Sequence, residues 1–265
     1  MKTFISPHSW FAFEYPDSWF EFEGEPGEFL FYDPDEWKGN FRIQAWRDKD
    51  KSYGRQCVAE ELRKKRVEEK QLGSWRVAQT KEHFTEEGEE YVNYYWLAGF
   101  ENTCVECSFT VPAGSSPEQG ERMVASLRIN SLGVFFKDKL IPIRLAEMME
   151  IDDAYMQMER VAKKACKTQF KDFQQSINVL QKLVDEKELN QLGPDANVLL
   201  GMTVCALLAE NVEGLEWNTF INNKEEKPVL VREGAVVADP CVLFRSLSAP
   251  VDILSVVDDI VSEKE

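Results

Sequence analysis

The hydrophobic period changes once along this chain of 265 residues, and that change limits the folds open to it. Up to about residue 135 apolar and polar side chains alternate, the two-residue period of half-buried strands. Phe11, Phe13 and Tyr15 share one phase, and Phe20 and Phe22 stand against Trp19, Glu21 and Glu23. Phe29 and Phe31 follow, then Phe41, Ile43 and Ala45 against Arg42, Gln44 and Trp46. Tyr15-Pro16-Asp17, Gly24-Glu25-Pro26-Gly27 and Asp33-Pro34-Asp35 divide these runs as turns. The pattern predicts further strands near 75–84, 89–98 and 103–111. It also predicts a charged helix over 55–70, with Val58 and Leu62 as its apolar stripe. A closing helix is expected over 117–131, opened by Ser116-Pro117-Glu118 and stopped by Gly133. Hairpin spacings of this length make the sheet largely antiparallel.

Beyond Pro142 the period becomes helical. One helix is predicted over 143–166, and a second carries Phe170, Phe173, Ile177, Leu180 and Val184 at alternating spacings of three and four. Gly193-Pro194-Asp195 introduces a third over 195–211, apolar on nearly every side and therefore expected inside its own domain. Short strands are predicted at 215–221, 228–232, 235–238 and 241–247, then an amphipathic helix at 250–262. The expected fold class is α+β in two domains. Residues 1–135 form a mainly antiparallel sheet with flanking helices, and residues 142–265 form a helix-rich domain with a small antiparallel sheet.

Charge does not follow this division: 16 basic residues face 24 acidic ones in 1–135, and 15 face 23 in 136–265. The total of −16 repels phosphate backbones and anionic lipid, so neither nucleic acid nor a membrane surface is an expected partner. Pro7, His8 and Ser9 interrupt any apolar run after Lys2, and the most apolar segment, 196–209, reads as a buried helix. A cytoplasmic location is the expectation. The six cysteines are scattered, as suits free and mostly buried thiols. Cys104-Val105-Glu106-Cys107 lies in a strand-like run, where a separation of three turns the thiols to opposite faces.

Catalytic signatures are missing. The two histidines, His8 and His83, stand in no metal-binding spacing, and neither a nucleophile elbow nor a phosphate-cradling glycine loop occurs. Asp152-Asp153 and Asp258-Asp259 read as solvated helix faces, since neighbours on a helix diverge by about 100°. Arg63-Lys64-Lys65-Arg66 follows Glu60-Glu61 in the order that favours ion pairs on a helix. Neither a metal nor a cofactor is expected.

One segment does point outward. Residues 3–37 hold nine acidic side chains and no Lys or Arg, and 12 of the chain's aromatics fall within 1–37. Trp19, Glu21, Glu23, Trp46 and Trp96 take the phase opposite to the more apolar one. They are the candidate partner-binding residues, or a second core layer if a helix covers that face.

The step Tyr15-Pro16-Asp17-Ser18-Trp19 between two early strands, followed by a hairpin, a helix, three strands and a closing helix, resembles the PsbP/Mog-like α/β/α sandwich domains. The resemblance covers residues 3–133. It implies a fold shared by extrinsic photosystem subunits, a Ran-binding nuclear-transport factor and bacterial effector chaperones, largely without catalysis. After 142 the chain resembles a second bacterial domain of unknown function that accompanies the first. That likeness rests on Leu192-Gly193, Glu216-Trp217, the short strands through Pro240 and the terminal helix. The resulting expectation is a bacterial adaptor, chaperone or immunity-type factor that binds a basic or amphipathic protein segment. The alternatives are an enzyme with a carboxylate-lined interdomain cleft drawing on Cys241 or His83, and an oligomerisation module. Oligomeric state stays open.

Overall fold

Aromatic alternation near the N-terminus builds two sheets that face each other. In the computed structural model, which describes residues 1–25, 27–244 and 251–262, the chain forms two units, Met1–Lys137 and Asp138–Glu265. The first unit opens with β1 (Lys2–Ile5) and β2 (Phe11–Tyr15), then β3 (Phe20–Phe22), β4 (Glu28–Tyr32) and β5 (Asn40–Arg47). Helix α1 (Tyr53–Glu61) leads to β6 (Glu68–Leu72), β7 (Trp75–Glu86), β8 (Glu89–Phe100) and β9 (Thr103–Pro112). Helix α2 (Glu118–Ala125) and β10 (Arg128–Ile129) close the unit. A seven-stranded sheet runs β3-β4-β5-β9-β8-β7-β6 and a three-stranded one runs β1-β2-β10, antiparallel throughout.

The core lies between these sheets. Phe4, Phe11 and Phe13 of the small sheet meet Phe31, Phe41, Ile43, Val105 and Phe109 of the large one, and α2 adds Met123 and Val124. Phe4 and Phe13 set their rings 5.1 and 5.2 Å from Phe31, both edge-on. Each such ring contributes about 1.5–3 kcal/mol by leaving water. Helix α1 packs on the other face of the large sheet. There Gly54 and Gly99 are in direct backbone contact, so that a Cβ on either would collide with its neighbours.

Two expected helices are shorter than their patterns. The helix predicted over 55–70 ends at Glu61, and Glu68–Leu72 is the strand β6. Arg66 takes a left-handed φ of 70° and Gly73 one of 57°, so the chain turns before and after β6 and pairs Leu72 with Trp75. The charged residues Glu68, Glu69 and Lys70 of β6 suit an edge strand, where they discourage pairing with another chain. The basic cluster 63–66 therefore lies on an exposed turn, with Lys64 paired to Glu61 at 2.6 Å. The helix expected over 117–131 ends at Ala125, because Arg128 and Ile129 pair with Ala12 and Phe11.

The second unit comprises β11 (Lys139–Pro142), α3 (Leu145–Cys166), α4 (Phe173–Asp185), α5 (Ala196–Asn211), β12 (Leu215–Ile221), β13 (Glu226–Arg232), β14 (Ala235–Ala238), α6 (Pro240–Leu243) and α7 (Ile253–Ser262). Its antiparallel sheet runs β11-β12-β13-β14. Helix α5 is buried along Leu200–Leu208 among α3, α4, α6 and β12, which accounts for its apolar circumference. By length and composition Glu188–Asn211 is also apolar enough to cross a membrane, and more than half of it is buried inside this unit. The strand expected at 241–247 is not formed at 241–243. Asp239 accepts the Cys241 amide at 3.0 Å and starts α6 instead. Residues 245–247 of that strand, residue 250 of the last predicted helix and Pro26 of the second turn lie outside the described residues. Asp152, Asp153, Asp258 and Asp259 are exposed.

Candidate functional site

The chain turns sharply after β2, and that turn carries the floor of a cleft. The Trp19 amide donates to the Pro16 carbonyl at 3.1 Å, and the indole folds back against Phe109 with ring centres 6.2 Å apart. Ser18 Oγ donates to Asp33 Oδ2 at 2.6 Å. The other Asp33 oxygen accepts the amides of Asp35 and Glu36 at 3.0 and 3.3 Å. One carboxylate thus joins the 16–19 turn to the 33–38 loop. The Ser18 hydrogen bond, then the two amides and the Lys38 charge, hold the Asp33 carboxyl below the usual carboxylate range.

Across the opening stands Trp37, 41% exposed and edge-on to Tyr91 at 6.0 Å. The space enclosed is about 670 Å³, with Trp19 and Phe109 below, Trp37 at the mouth, and Asp33, Lys38, Glu118 and Arg122 around the rim. Two rim cations are locally paired, Lys38 with Glu36 at 2.9 Å and Arg122 with Glu118 at 3.5 Å. The lining charges cancel, Asp33 and Glu118 against Lys38 and Arg122, while the bordering 33–38 segment also carries Asp35 and Glu36. A volume of this size with aromatic walls and a few polar groups is the form that binding sites take.

The five residues singled out from sequence do not share one surface. Trp19 is 5% exposed, so only its cleft-facing edge is available. Trp96 is 0% exposed, packs in the core and donates Nε1 to Gln79 Oε1 at 3.0 Å, which corrects its placement on a partner-facing phase. The error has a physical source: both phases of β8 carry large side chains, and only the pairing of Trp96 with Cys107 decides which is inward. Glu21 also belongs to the inward phase, since it pairs with Phe31 at the sheet's edge, and there it helps burial to push the Tyr15 hydroxyl up. Phe20, taken as apolar and inward, is exposed. Glu23 is exposed. Trp46 is 41% exposed and pairs with Cys104 on the face opposite Phe109. Of the five, only Trp19 lines the cleft. Phe109 and Arg122 escaped the sequence reading because β9 arrives by pairing beside β5 and α2 by packing on the core, and Trp37 because it stands in the loop before β5; the turn signals at Pro16 and Asp33 were the visible clue.

Four of the thiols lie where the thiolate is disfavoured. Burial pushes Cys104, Cys107 and Cys205 up, and burial followed by Asp239 does the same to Cys241. Cys104 and Cys107 turn to opposite faces of β9, Cys107 beside Ile43 and Trp96, Cys104 beside Trp46. His83 is exposed on β7. Among the described residues no group of three or more His, Cys, Asp or Glu gathers to hold a metal ion.

Two family models match the chain: a domain of unknown function (DUF3805) over residues 1–152, and a second (DUF3806) over residues 176–246. No curated protein matches it. A crystal structure from Bacteroides thetaiotaomicron is similar over 98% of both chains, at 35% identity and a TM-score of 0.93. The solution structure of cyanobacterial PsbP from Synechocystis is similar over 49% of this chain and 92% of its own, at 10% identity and a TM-score of 0.26. LpqN of Mycobacterium tuberculosis, described as involved in cell envelope biogenesis, is similar over 46% of this chain and 83% of its own, at 8% identity and a TM-score of 0.29. PsbP-like proteins are thus among the structural neighbours. With a model that spans more than half of its length, the chain belongs to the family of the domain of unknown function DUF3805, followed here by DUF3806.

Proposed function

We propose that the first unit is a non-catalytic binding module that seats a segment of a partner protein, basic and with an apolar or aromatic anchor, in the Trp19–Trp37 cleft. The observation that carries this reading is Trp37, a tryptophan left exposed at the mouth of an aromatic-floored cavity. Tryptophan side chains in such positions supply much of the binding energy at protein interfaces. Charge gives the partner's sign. Asp33 is held ionised, the bordering 33–38 segment carries three carboxylates against one lysine, and segment 3–37 carries nine carboxylates without a Lys or Arg. A basic segment is attracted to such a field and its approach is accelerated. Burial holds Cys107, Cys205 and Cys241 as thiols, which favours binding over nucleophilic chemistry at those positions.

Selection of a random peptide display library against the whole protein tests this. The expected peptides pair Lys or Arg with an aromatic or branched anchor, and lose at least about tenfold in affinity on Trp37→Ala, about 1.4 kcal/mol. Peptides that bind Trp37→Ala and Asp33→Asn as well as the parent protein would remove the cleft from the account. Trp96→Ala is not an informative variant, because it opens the core.

A further inference from the structure

Helix α1 lies across β8 and β9 on the face of the sheet away from the aromatic core. Gly54 fixes its start: its amide donates to the Glu101 carbonyl at 2.7 Å, and its Cα sits against the Thr103 and Gly99 backbone with no room for a Cβ. From that anchor, one helical turn carries Cys57 toward Cys104, the residue after Thr103, and the next carries Glu61 to a hollow that Glu106 also lines. Cys104 shares this face with Trp46 and Gly99, its partners on β5 and β8. After burial, Cys57 is the next cause that pushes the Cys104 thiol up, and it also pushes up the Tyr53 hydroxyl of the preceding turn, as a group lying close to both would. Cys57 is half-buried and reachable by a small oxidant, whereas Cys104 is 2% exposed. No step of the binding role uses either thiol.

We propose that Cys57 and Cys104 are an oxidisable pair that a peroxide converts to a disulfide, pinning α1 to β9. In the first step Cys57 sulfur attacks one peroxide oxygen and the O–O bond breaks, giving a sulfenic acid and water. In the second, Cys104 sulfur attacks the Cys57 sulfenic sulfur, the S–O bond breaks, and the Cys104 proton leaves with the hydroxyl as a second water. Two thiols together lose two electrons and one peroxide is reduced. The partially exposed Cys57 is the thiol that meets the oxidant. Cys104, buried beside it, is the resolving partner, and its fixed position next to Cys57 offsets the thiol form that burial favours.

The test treats the full-length protein with hydrogen peroxide, unfolds it in urea with N-ethylmaleimide to block every remaining thiol, and maps a non-reduced digest by mass spectrometry. The expected result is a loss of about 2 Da, a peptide pair joining Cys57 to Cys104, and maleimide labelling reduced from six thiols to four. Dithiothreitol should restore all six. Cys57→Ser should abolish the crosslink, and Cys107→Ser should retain it. Cys57 found as sulfinic acid with Cys104 still labelled, a crosslink only between Cys205 and Cys241, or an unchanged mass would each overturn the proposal. The wild-type map decides between these results even if a variant fails to fold.

Discussion

Asp33 shows how much one side chain can organise: three hydrogen bonds to its two oxygens tie a turn to a loop and hold the cleft open. Because its carboxyl lies lower in the folded chain than in the unfolded one, the stability it confers is present at neutral pH, above the usual carboxylate range. That stability is lost as pH falls through the folded value. Asp33→Asn should therefore lower the urea midpoint at pH 7, and the difference from the parent protein should shrink as the pH drops below about 4. A difference that is constant with pH would mean the carboxylate charge is not what matters. In the second unit Arg144 is buried, and Glu147 and Glu226 hold its guanidinium between them, outweighing the effect of burial on its charge. Arg144→Ala leaves those carboxylates without it and should cost about 3–5 kcal/mol in urea unfolding. A loss below about 1 kcal/mol would place the cluster in the class of exposed ion pairs.

Close backbone approach sets the position of α5, as it does that of α1. Gly201 of α5 faces the Pro240 carbonyl at the start of α6, with no space for a Cβ. Gly201→Ala should cost about 1–3 kcal/mol, read as a lowered thermal midpoint, since overpacking forces the two helices apart. An unchanged midpoint would mean that α6 yields freely. Elements were legible where one residue pattern repeats for several turns or pairs. The alternation of Phe11, Phe13 and Tyr15 marks β2, that of Phe41 and Ile43 marks β5, and the spacing of Phe173, Ile177 and Leu180 marks α4. Strands β1, β6, β10 and β11 were not, because none carries a run of alternating apolar side chains and each exists through its partner strand. The candidate site was half legible for the same reason. Its Pro16–Trp19 turn is local in sequence, whereas Phe109 and Arg122 arrive through the placement of β9 beside β5 and of α2 against the core.

At the scale of the whole molecule, charge and binding belong to one account. A formal charge of −16 contributes little to specificity and much to the rate at which a basic segment arrives, so association should slow as salt is added while the anchor's contribution persists. Hydrogen–deuterium exchange on the complete protein with a selected basic peptide bound tests the central claim most directly. Added protection confined to residues 16–19, 33–38 and 112–122, and absent in Trp37→Ala, is the predicted result. Protection confined to other segments, or protection that survives Trp37→Ala undiminished, would contradict a partner seated between Trp19 and Trp37.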